Sequence, residues 1–253
     1  MQQVEFGDAL LITHAPPTGP LPENLRLEVT KEIESREAYS LYLQTKLTNS
    51  IFTKFALIIQ WDGYVLNPST WSEEFLEYDY IGAPWPQFVS PLSVGNGGFS
   101  LRSKRLLEVC AEPDFRATHP EDLSICHYNR AMLEQKYGIR FAPESVAARF
   151  SYERSKPTSA TFGFHGVFNM LDIVEIREFT KLCGELETGL LGLRELCDLI
   201  TAMLQRRSQG RGAMIAKLSF ELLRSHGHRL ATWRFIGRYM WKRMIAPKES
   251  IEV

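Results

Sequence analysis

The sequence predicts an α/β fold with a mixed, mostly parallel sheet flanked by helices, followed by an α-helical C-terminal extension. The apolar run Phe55–Ile59 is short and polar residues follow it at once, which is typical of a strand buried on both faces of a parallel sheet. Strand-like and helix-like patterns alternate before it, as in folds whose helices cover a sheet. From about Asn169 onward the apolar spacing becomes helical and strand-like runs disappear.

The segments before this run supply a strand, a second strand and a helix. Ala9–Thr13 and Leu25–Val29 have the composition of strands, and a Pro-Pro break follows the first of them. Ser35–Ile51 has helical apolar spacing, with Ser35 as N-cap and the acidic Glu37 in the first turn. The chain then enters Phe55–Ile59 directly, which completes the alternation.

Loops and helices alternate after the central strand. Tyr78–Pro86 is rich in aromatics and prolines and predicts a stiff loop. Val94–Ser100 predicts a glycine loop that enters a short strand, and Ser103 is placed to cap the next helix. A further helix is predicted to open at His119–Asp122, where proline and two acids suit a helix N-terminus, and to run to about Lys136.

Composition limits the class of protein. The chain has 253 residues, 44% hydrophobic and 23% charged, as in globular rather than disordered chains. The formal net charge of −1 gives no indication of a polyanionic partner. We therefore predict that the protein does not bind nucleic acid. The four cysteines show no metal-finger spacing, so a reducing, cytoplasmic location is expected. No signal peptide or membrane span is evident in the sequence.

Four short stretches carry candidate chemistry. Asp62 follows the central strand, where α/β proteins bind ligands, although an Asp-Gly pair often only forms a turn. Asn96-Gly97-Gly98 permits close approach of a substrate but lacks the spacing of a phosphate loop. Glu121-Asp122 offers a general base or, alternatively, two solvated acids at a helix start. His165 lies between glycines in FGFHG, as a ligand or a structural histidine.

Four motifs occur in a fixed order along the chain: WDGYVLNPSTWSEEFLEYDYIGAPWP, VGNGGFSLRSKRLLEVC, HPEDLSIC and FGFHG. Together they resemble a family of GT-A-fold glycosyltransferases that is catalogued as a domain of unknown function. The resemblance spans roughly residues 6–166. It implies a GT-A-like domain over residues 1–168 and a helical, basic extension over residues 169–253. The family's first strand–helix unit is expected to be missing, so that either the start is late or the nucleotide pocket is trimmed.

The resemblance also implies roles for individual residues. Asp62 and His165 would hold a divalent cation, Mn²⁺ or Mg²⁺, on the donor diphosphate, with one carboxylate where two are usual. Asp122, with Glu121 as its neighbour, would supply the base of an inverting transfer. Six residues would bind substrate: Gln60, Trp61, Trp85, Asn96, Gly97 and Gly98. Trp85 is equally consistent with a core aromatic.

The leading hypothesis is therefore a metal-assisted glycosyltransferase acting on a nucleotide-sugar donor and a glycan, lipid-linked or protein acceptor. The alternative is a non-catalytic, degenerate protein that binds a nucleotide or carbohydrate. A metal-dependent phosphoesterase is less consistent with the sequence, because too few acids cluster to hold two cations.

The C-terminal segment adds a possible partner. Ten basic residues lie between Gln205 and Met244, opposed only by Glu221, and aromatic residues are interleaved with them. Such a segment can lie on an anionic membrane as a peripheral attachment. The alternative is a solvated basic face packed on another part of the protein.

Overall fold

The computed structural model describes residues 4–175, 178–179, 181–182, 191–205 and 211–245. The chain divides into two compact units, residues 1–166 and 167–253. The first unit is mixed α/β with small sheets, and the described part of the second unit is helical.

The first unit holds three small sheets among its described residues. Strands β1 (Leu10–Thr13) and β2 (Arg26–Val29) form a parallel pair in which Leu10 lies opposite Arg26. The central sheet consists of β3 (Phe55–Ile59), β5 (Tyr80–Ile81) and β6 (Phe99–Ser103). Its strand order is β3-β6-β5, and both of its pairings are antiparallel.

The third sheet lies next to the site residues in sequence. Strand β8 (Gly163–Phe164) pairs antiparallel with β4 (Tyr64–Val65) and parallel with β7 (Ser151–Tyr152). The strand order is β4-β8-β7, so the chain before His165 is held between a strand that follows Asp62 and one that precedes Glu153.

The expected mostly parallel sheet differs from these pairings. In the described residues, β3 pairs with an antiparallel strand and only Ala56 of its residues is buried, while Ile59 is 44% exposed. Its neighbour β6 is buried at all five residues. A five-residue apolar run cannot by itself distinguish a buried parallel strand from a partly exposed antiparallel one, because both kinds of strand accept the same side chains.

Among its described residues the first unit has five α-helices and one π-helical turn, besides short 3-10 helices. Helix α1 has Ser35 as its N-cap, whose oxygen accepts from Ala38 N, and α2 has Ser103, whose oxygen accepts from Leu106 N. Both predicted caps are confirmed. The helices are α1 (Arg36–Thr45), α2 (Lys104–Cys110), α3 (Glu121–Leu123), a π-helical turn (Ser124–Tyr128), α4 (Arg130–Tyr137) and α5 (Glu144–Phe150).

Four phenylalanines pack together in one core cluster of the first unit. Phe99, Phe150 and Phe162 are fully buried and contact one another, with ring centroids 5.4 to 6.0 Å apart. Phe75 meets Phe150 edge to face at 5.3 Å. Rings of this size bury a large apolar area, so they fix β6 and β8 and hence the loops that leave them.

The second unit contains a short helix, Val167–Met170, and three longer ones, Leu193–Gln205, Arg211–His226 and Leu230–Ile245. Its core includes Leu199, Met203, Leu218 and Leu222. The apolar spacing of Leu171–Gln205 predicts one or two amphipathic helices, and this range falls partly outside the described residues. Within the described part of the chain, none of the helices is both long and apolar enough to cross a membrane.

Candidate functional site

An Asp–His contact forms the centre of the candidate site. Asp62, three residues after the end of β3, has its Oδ1 atom 3.1 Å from Nε2 of His165. The Gln60 Oε1 atom lies 3.2 Å from the same nitrogen. The backbone supports this contact, because Gly166 N donates to Asp62 O at 3.0 Å and His165 N donates to Tyr152 O at 3.0 Å.

The other nitrogen of His165 faces an amide and a second acid. Its Nδ1 atom lies 3.1 Å from Asn96 Nδ2 and 3.7 Å from Glu153 Oε1. Asn96 is held in a left-handed conformation, with φ of 67°, and its Oδ1 accepts from Phe99 N at 3.3 Å. Asparagine tolerates this backbone region better than most residues, which explains its place in the turn.

These contacts set the charge of the imidazole. Burial favours the neutral ring, but hydrogen bonds with Asp62 and Glu153 outweigh it and raise the pKa of His165 to about 10. Burial likewise opposes ionisation of Glu153, but His165 and the ion-paired Arg154 lower the pKa of Glu153 to about 2. At neutral pH His165 is therefore an imidazolium beside the Glu153 carboxylate. The Asn96 amide nitrogen can donate to Nδ1 only when the ring is neutral.

Two glycines bring backbone against this site. A Cβ on Gly98 would lie 2.0 Å from His165 Nε2, so only glycine allows the imidazole its position. Gly98 O accepts from Gln60 N at 2.8 Å, which ties the loop to the end of β3. The residue before it, Gly97, donates its N–H to Asp122 Oδ2 at 3.3 Å. The loop thus contacts the imidazole of His165 at Gly98 and the carboxylate of Asp122 at Gly97.

Asp122 is partly buried at the start of α3. It accepts from Gly97 N, and its Oδ1 accepts from Leu123 N at 2.8 Å. Burial, and then the neighbouring charge of Glu121, raise the pKa of Asp122 to about 6. A carboxylate that gains a proton near neutrality is well suited to general acid–base chemistry.

Glu121 points into the protein and is held by a buried arginine. Its Oε1 lies 3.2 Å from Nη2 of Arg102, whose side chain is fully buried in β6. Arg102 Nη2 also donates to Gly97 O at 3.4 Å, and its Nε donates to Ser100 Oγ at 3.0 Å. Ser40 Oγ lies 3.5 Å from Glu121 Oε2. This arrangement differs from a pair of solvated acids at a helix start, because Glu121 is buried.

A hydrogen bond from α1 reaches the same region. Gln60 Nε2 donates to the hydroxyl of Tyr39 at 3.0 Å, so the Gln60 amide is oriented with its oxygen toward His165. Burial, and then the charge of Glu121, raise the pKa of Tyr39 above the ordinary tyrosine range. At physiological pH the Tyr39 side chain therefore remains a neutral hydroxyl, within the influence of the charges of Glu121 and Asp62.

The structure brings most of the predicted residues into these contacts. Gln60, Asp62 and Asn96 each contact His165, and Gly97, Gly98, Glu121 and Asp122 extend the group. Trp61 is 45% exposed beside Asp62. Trp85 is only 5% exposed, and its ring lies 5.4 Å from Phe88 and 5.6 Å from His127, a placement typical of the core aromatic that the sequence left open.

Three further residues of the group were not singled out from the sequence. Arg102 is a lone cation inside the strand FSLRS, and a charge in a buried strand requires a partner, which was a usable signal. Glu153 and Tyr39 carry no comparable local pattern. Glu153 reaches the site through His165, and Tyr39 reaches it through Gln60, which is 21 residues later in the chain.

A divalent cation is the cofactor that the sequence suggested. Asp62 offers a carboxylate oxygen, the donor type that Mn²⁺ and Mg²⁺ prefer, and the imidazole nitrogen of His165 lies close to it. Among the described residues no group of three or more His, Cys, Asp or Glu side chains could hold a metal. The residues fit a cation only if phosphate oxygens of a substrate complete its coordination, as is usual for Mg²⁺.

Residues 24–165 match the family described as "Protein of unknown function (DUF5672)". The match covers more than half of the chain and all the site residues described above, so the chain belongs to this family. A search of the curated proteins and a search of the solved structures returned no match. The family description carries no activity, and the function has to be argued from the site itself.

Proposed function

We propose that the protein is a glycosyltransferase that moves a sugar from a nucleotide-sugar donor to the hydroxyl of a glycan, lipid-linked or protein acceptor. One observation carries the proposal. The Gly97-Gly98 backbone has the Asp122 carboxylate on one side and the Asp62–His165 pair against the next residue. Sugar transfer requires a base for the acceptor hydroxyl and neutralisation of the departing diphosphate, and these two groups offer both.

Asp122 is the proposed base. In an inverting transfer its carboxylate takes the proton of the acceptor hydroxyl while that oxygen attacks the anomeric carbon and the nucleoside diphosphate departs. The raised pKa of Asp122 supports this role, because a base with a pKa near the working pH accepts a proton most effectively. Glu121, tied to Arg102, is proposed to keep the α3 start in place.

Asp62 and His165 are the proposed holders of a divalent cation. When bound, such a cation supplies positive charge to the diphosphate leaving group. Gln60 orients the imidazole through its amide oxygen at Nε2, and Asn96 lies at the other ring nitrogen. Trp61, exposed next to Asp62, is proposed to contact the donor. A GT-A-like arrangement of the domain remains part of the proposal, alongside a peripheral, cytoplasmic location.

The second candidate is a binding protein without turnover. One observation in its favour is the direct contact between Asp62 and His165, in which each side chain is the polar partner of the other. A second is that, among the described residues, no group of three or more His, Cys, Asp or Glu side chains could hold a metal. Such a protein would bind a nucleoside diphosphate or a sugar at the same glycines without transferring anything.

One experiment separates the two candidates. The full chain is incubated with a panel of nucleotide sugars and Mn²⁺ or Mg²⁺, and release of the nucleoside diphosphate is followed with and without mixed glycan acceptors. Turnover that is lost in Asp122→Asn and kept in the surface variant Asp114→Asn supports the transferase. Calorimetric binding of a nucleoside diphosphate without turnover supports the binding protein, and neither binding nor turnover contradicts both.

A further inference from the structure

The outward faces of two C-terminal helices are unusual for a globular surface. Helix Arg211–His226 buries Met214, Leu218 and Leu222 in the core of the second unit. Phe220, on the opposite side of the same helix, is 64% exposed, and Leu223 beside it is also exposed. Such a helix is apolar on its inner face and carries an additional large ring toward solvent.

Cations surround this exposed ring. Lys217 and Arg224 are three residues before and four residues after Phe220, so all three share one helix face. Glu221, the single acid of the segment, forms an ion pair of 2.8 Å with Arg224. The face therefore presents an aromatic ring with basic side chains at its edge rather than a uniform polar surface.

The next helix, Leu230–Ile245, repeats the combination. Leu230, Arg234 and Arg238 recur at four-residue intervals, and all three are exposed. Trp233 is exposed as well, with its indole N–H donating to Gly227 O at 2.8 Å, which keeps the polar edge of the ring at the turn between the helices. Among the described residues, Arg229, Arg234 and Arg238 form no ion pair, so their charges are available to an external partner.

We propose that the exposed side chains of these two helices, Phe220, Leu223, Leu230, Arg234 and Arg238, bind an anionic lipid surface. The ten-to-one excess of basic over acidic residues between Gln205 and Met244 complements anionic head groups, while the rest of the chain is acidic. Aromatic and aliphatic side chains gain free energy by entering the head-group and acyl boundary, and arginines beside them reach the phosphates. Exposed Leu and Phe gain nothing comparable from a nucleic-acid backbone, which favours lipid over RNA or DNA.

The test is sedimentation of the full chain with vesicles. Vesicles of equal parts phosphatidylglycerol and phosphatidylcholine are compared with vesicles of phosphatidylcholine alone. The parent protein is expected to sediment with the anionic vesicles only, and to be released in about 1 M salt, where screening acts over a few ångströms. Arg234→Glu/Arg238→Glu is expected to lower the partition coefficient at least tenfold, since each juxtamembrane cation contributes appreciably to attraction.

Two control variants test whether vesicle binding depends on these side chains in particular. Lys54→Glu/Lys156→Glu changes the net charge equally at exposed positions of the first unit and should retain binding. Phe220→Ser/Leu230→Ser should weaken binding several-fold, whereas Val89→Ser, at a residue 83% exposed, should not. Circular dichroism of each variant checks that its helices persist.

Tryptophan fluorescence of the parent protein provides a second test, which does not depend on a variant that loses vesicle binding. Its tryptophan fluorescence should shift to shorter wavelength with anionic vesicles, and Trp233→Phe should remove most of that shift. Equal recovery in the supernatant with both vesicle types would overturn the proposal. So would equal weakening by the first-unit charge control, or binding of RNA or duplex DNA, but not vesicles, that depends on Arg234 and Arg238.

Discussion

The carboxylate of Glu121 occupies the space in which a side chain on Gly97 would begin. A Cβ on Gly97 would lie 1.8 Å from Glu121 Oε1 and 3.0 Å from Nη2 of Arg102. The same glycine donates its N–H to Asp122. Its backbone is thus contacted by both acids of the α3 start and by the arginine of β6, which makes it the point where the two halves of the candidate site meet.

Gly97→Ala is expected to destabilise the fold by about 1–3 kcal/mol, the usual range for forcing extra volume into a packed region. Glu121 cannot simply move aside, because its buried ion pair with Arg102 would be broken. Chemical denaturation measures the change. Gly19→Ala is the matched control, since nothing lies within 4 Å of the added carbon. Equal, small effects in both variants would contradict the described contact.

Arg102→Met is expected to cost about 3–5 kcal/mol, because it leaves Glu121 as a buried charge without its cation. The double variant Arg102→Met/Glu121→Gln should recover part of that loss, and a double-mutant cycle quantifies the coupling. The exposed pair Lys46–Glu32 provides the comparison, where Lys46→Met should cost less than about 1 kcal/mol. Additive effects of the two buried substitutions would show that they do not interact.

If Asp122 is the base, turnover should rise with pH through about 6, since only the ionised carboxylate accepts a proton. Glu121→Gln should move this rise to lower pH, because the neighbouring negative charge that helps to raise the Asp122 pKa is removed. Asp122→Asn should lower turnover about 10²–10⁴-fold, as is typical for loss of a general base. A rise at the same pH in Asp122→Asn would assign it to another group.

The histidine cluster predicts a pH dependence of stability with a definite sign. His165 has a raised pKa, so its stabilisation is complete below its ordinary pKa of 6.5 and is lost as pH rises toward 10. Glu153 has a lowered pKa, so its stabilisation is present above 4.5 and is lost as pH falls toward 2. Melting curves of the parent should therefore show a fall from pH 7 to 10 that is smaller in Glu153→Gln.

A matched variant isolates this effect from other titrations. Glu134→Gln removes an exposed acid that is paired with Arg130 but is remote from His165 in the contacts described, and its melting curve should keep the full alkaline fall. If Glu153→Gln and Glu134→Gln change the fall equally, the dependence does not come from the imidazole.

Cation binding, if it occurs at Asp62 and His165, should strengthen as pH rises. A metal ligand must be the neutral imidazole, and the raised pKa of His165 means that a proton has to be released. Calorimetry with Mn²⁺ and a nucleoside diphosphate in buffers of different ionisation heat measures that release. His165→Ala should abolish the pH dependence, while His14→Ala, at an exposed histidine near the N-terminal strands, should leave it unchanged.

Local signals in the sequence identified much of the first unit. The hydroxyls of Ser35 and Ser103 were predicted as N-caps because serine accepts a hydrogen bond from the first helical turn, and both do so. The run Phe55–Ile59 was predicted as a strand and is one. The predicted parallel arrangement of its sheet was not found in the described residues, because strand direction depends on the partner, β6, which lies about forty residues later in the chain.

The sequence by itself determined the caps, the strand-like runs, the glycine turn, the adjacent acids and the basic character of the C-terminal helices. All of these depend on residues close together in the chain. Only the tertiary structure decided that Gln60 meets His165 across 105 residues, that Arg102 is the partner of Glu121, and that Glu153 faces the imidazole. These contacts join distant segments, and their energies depend on burial and geometry that no local pattern contains.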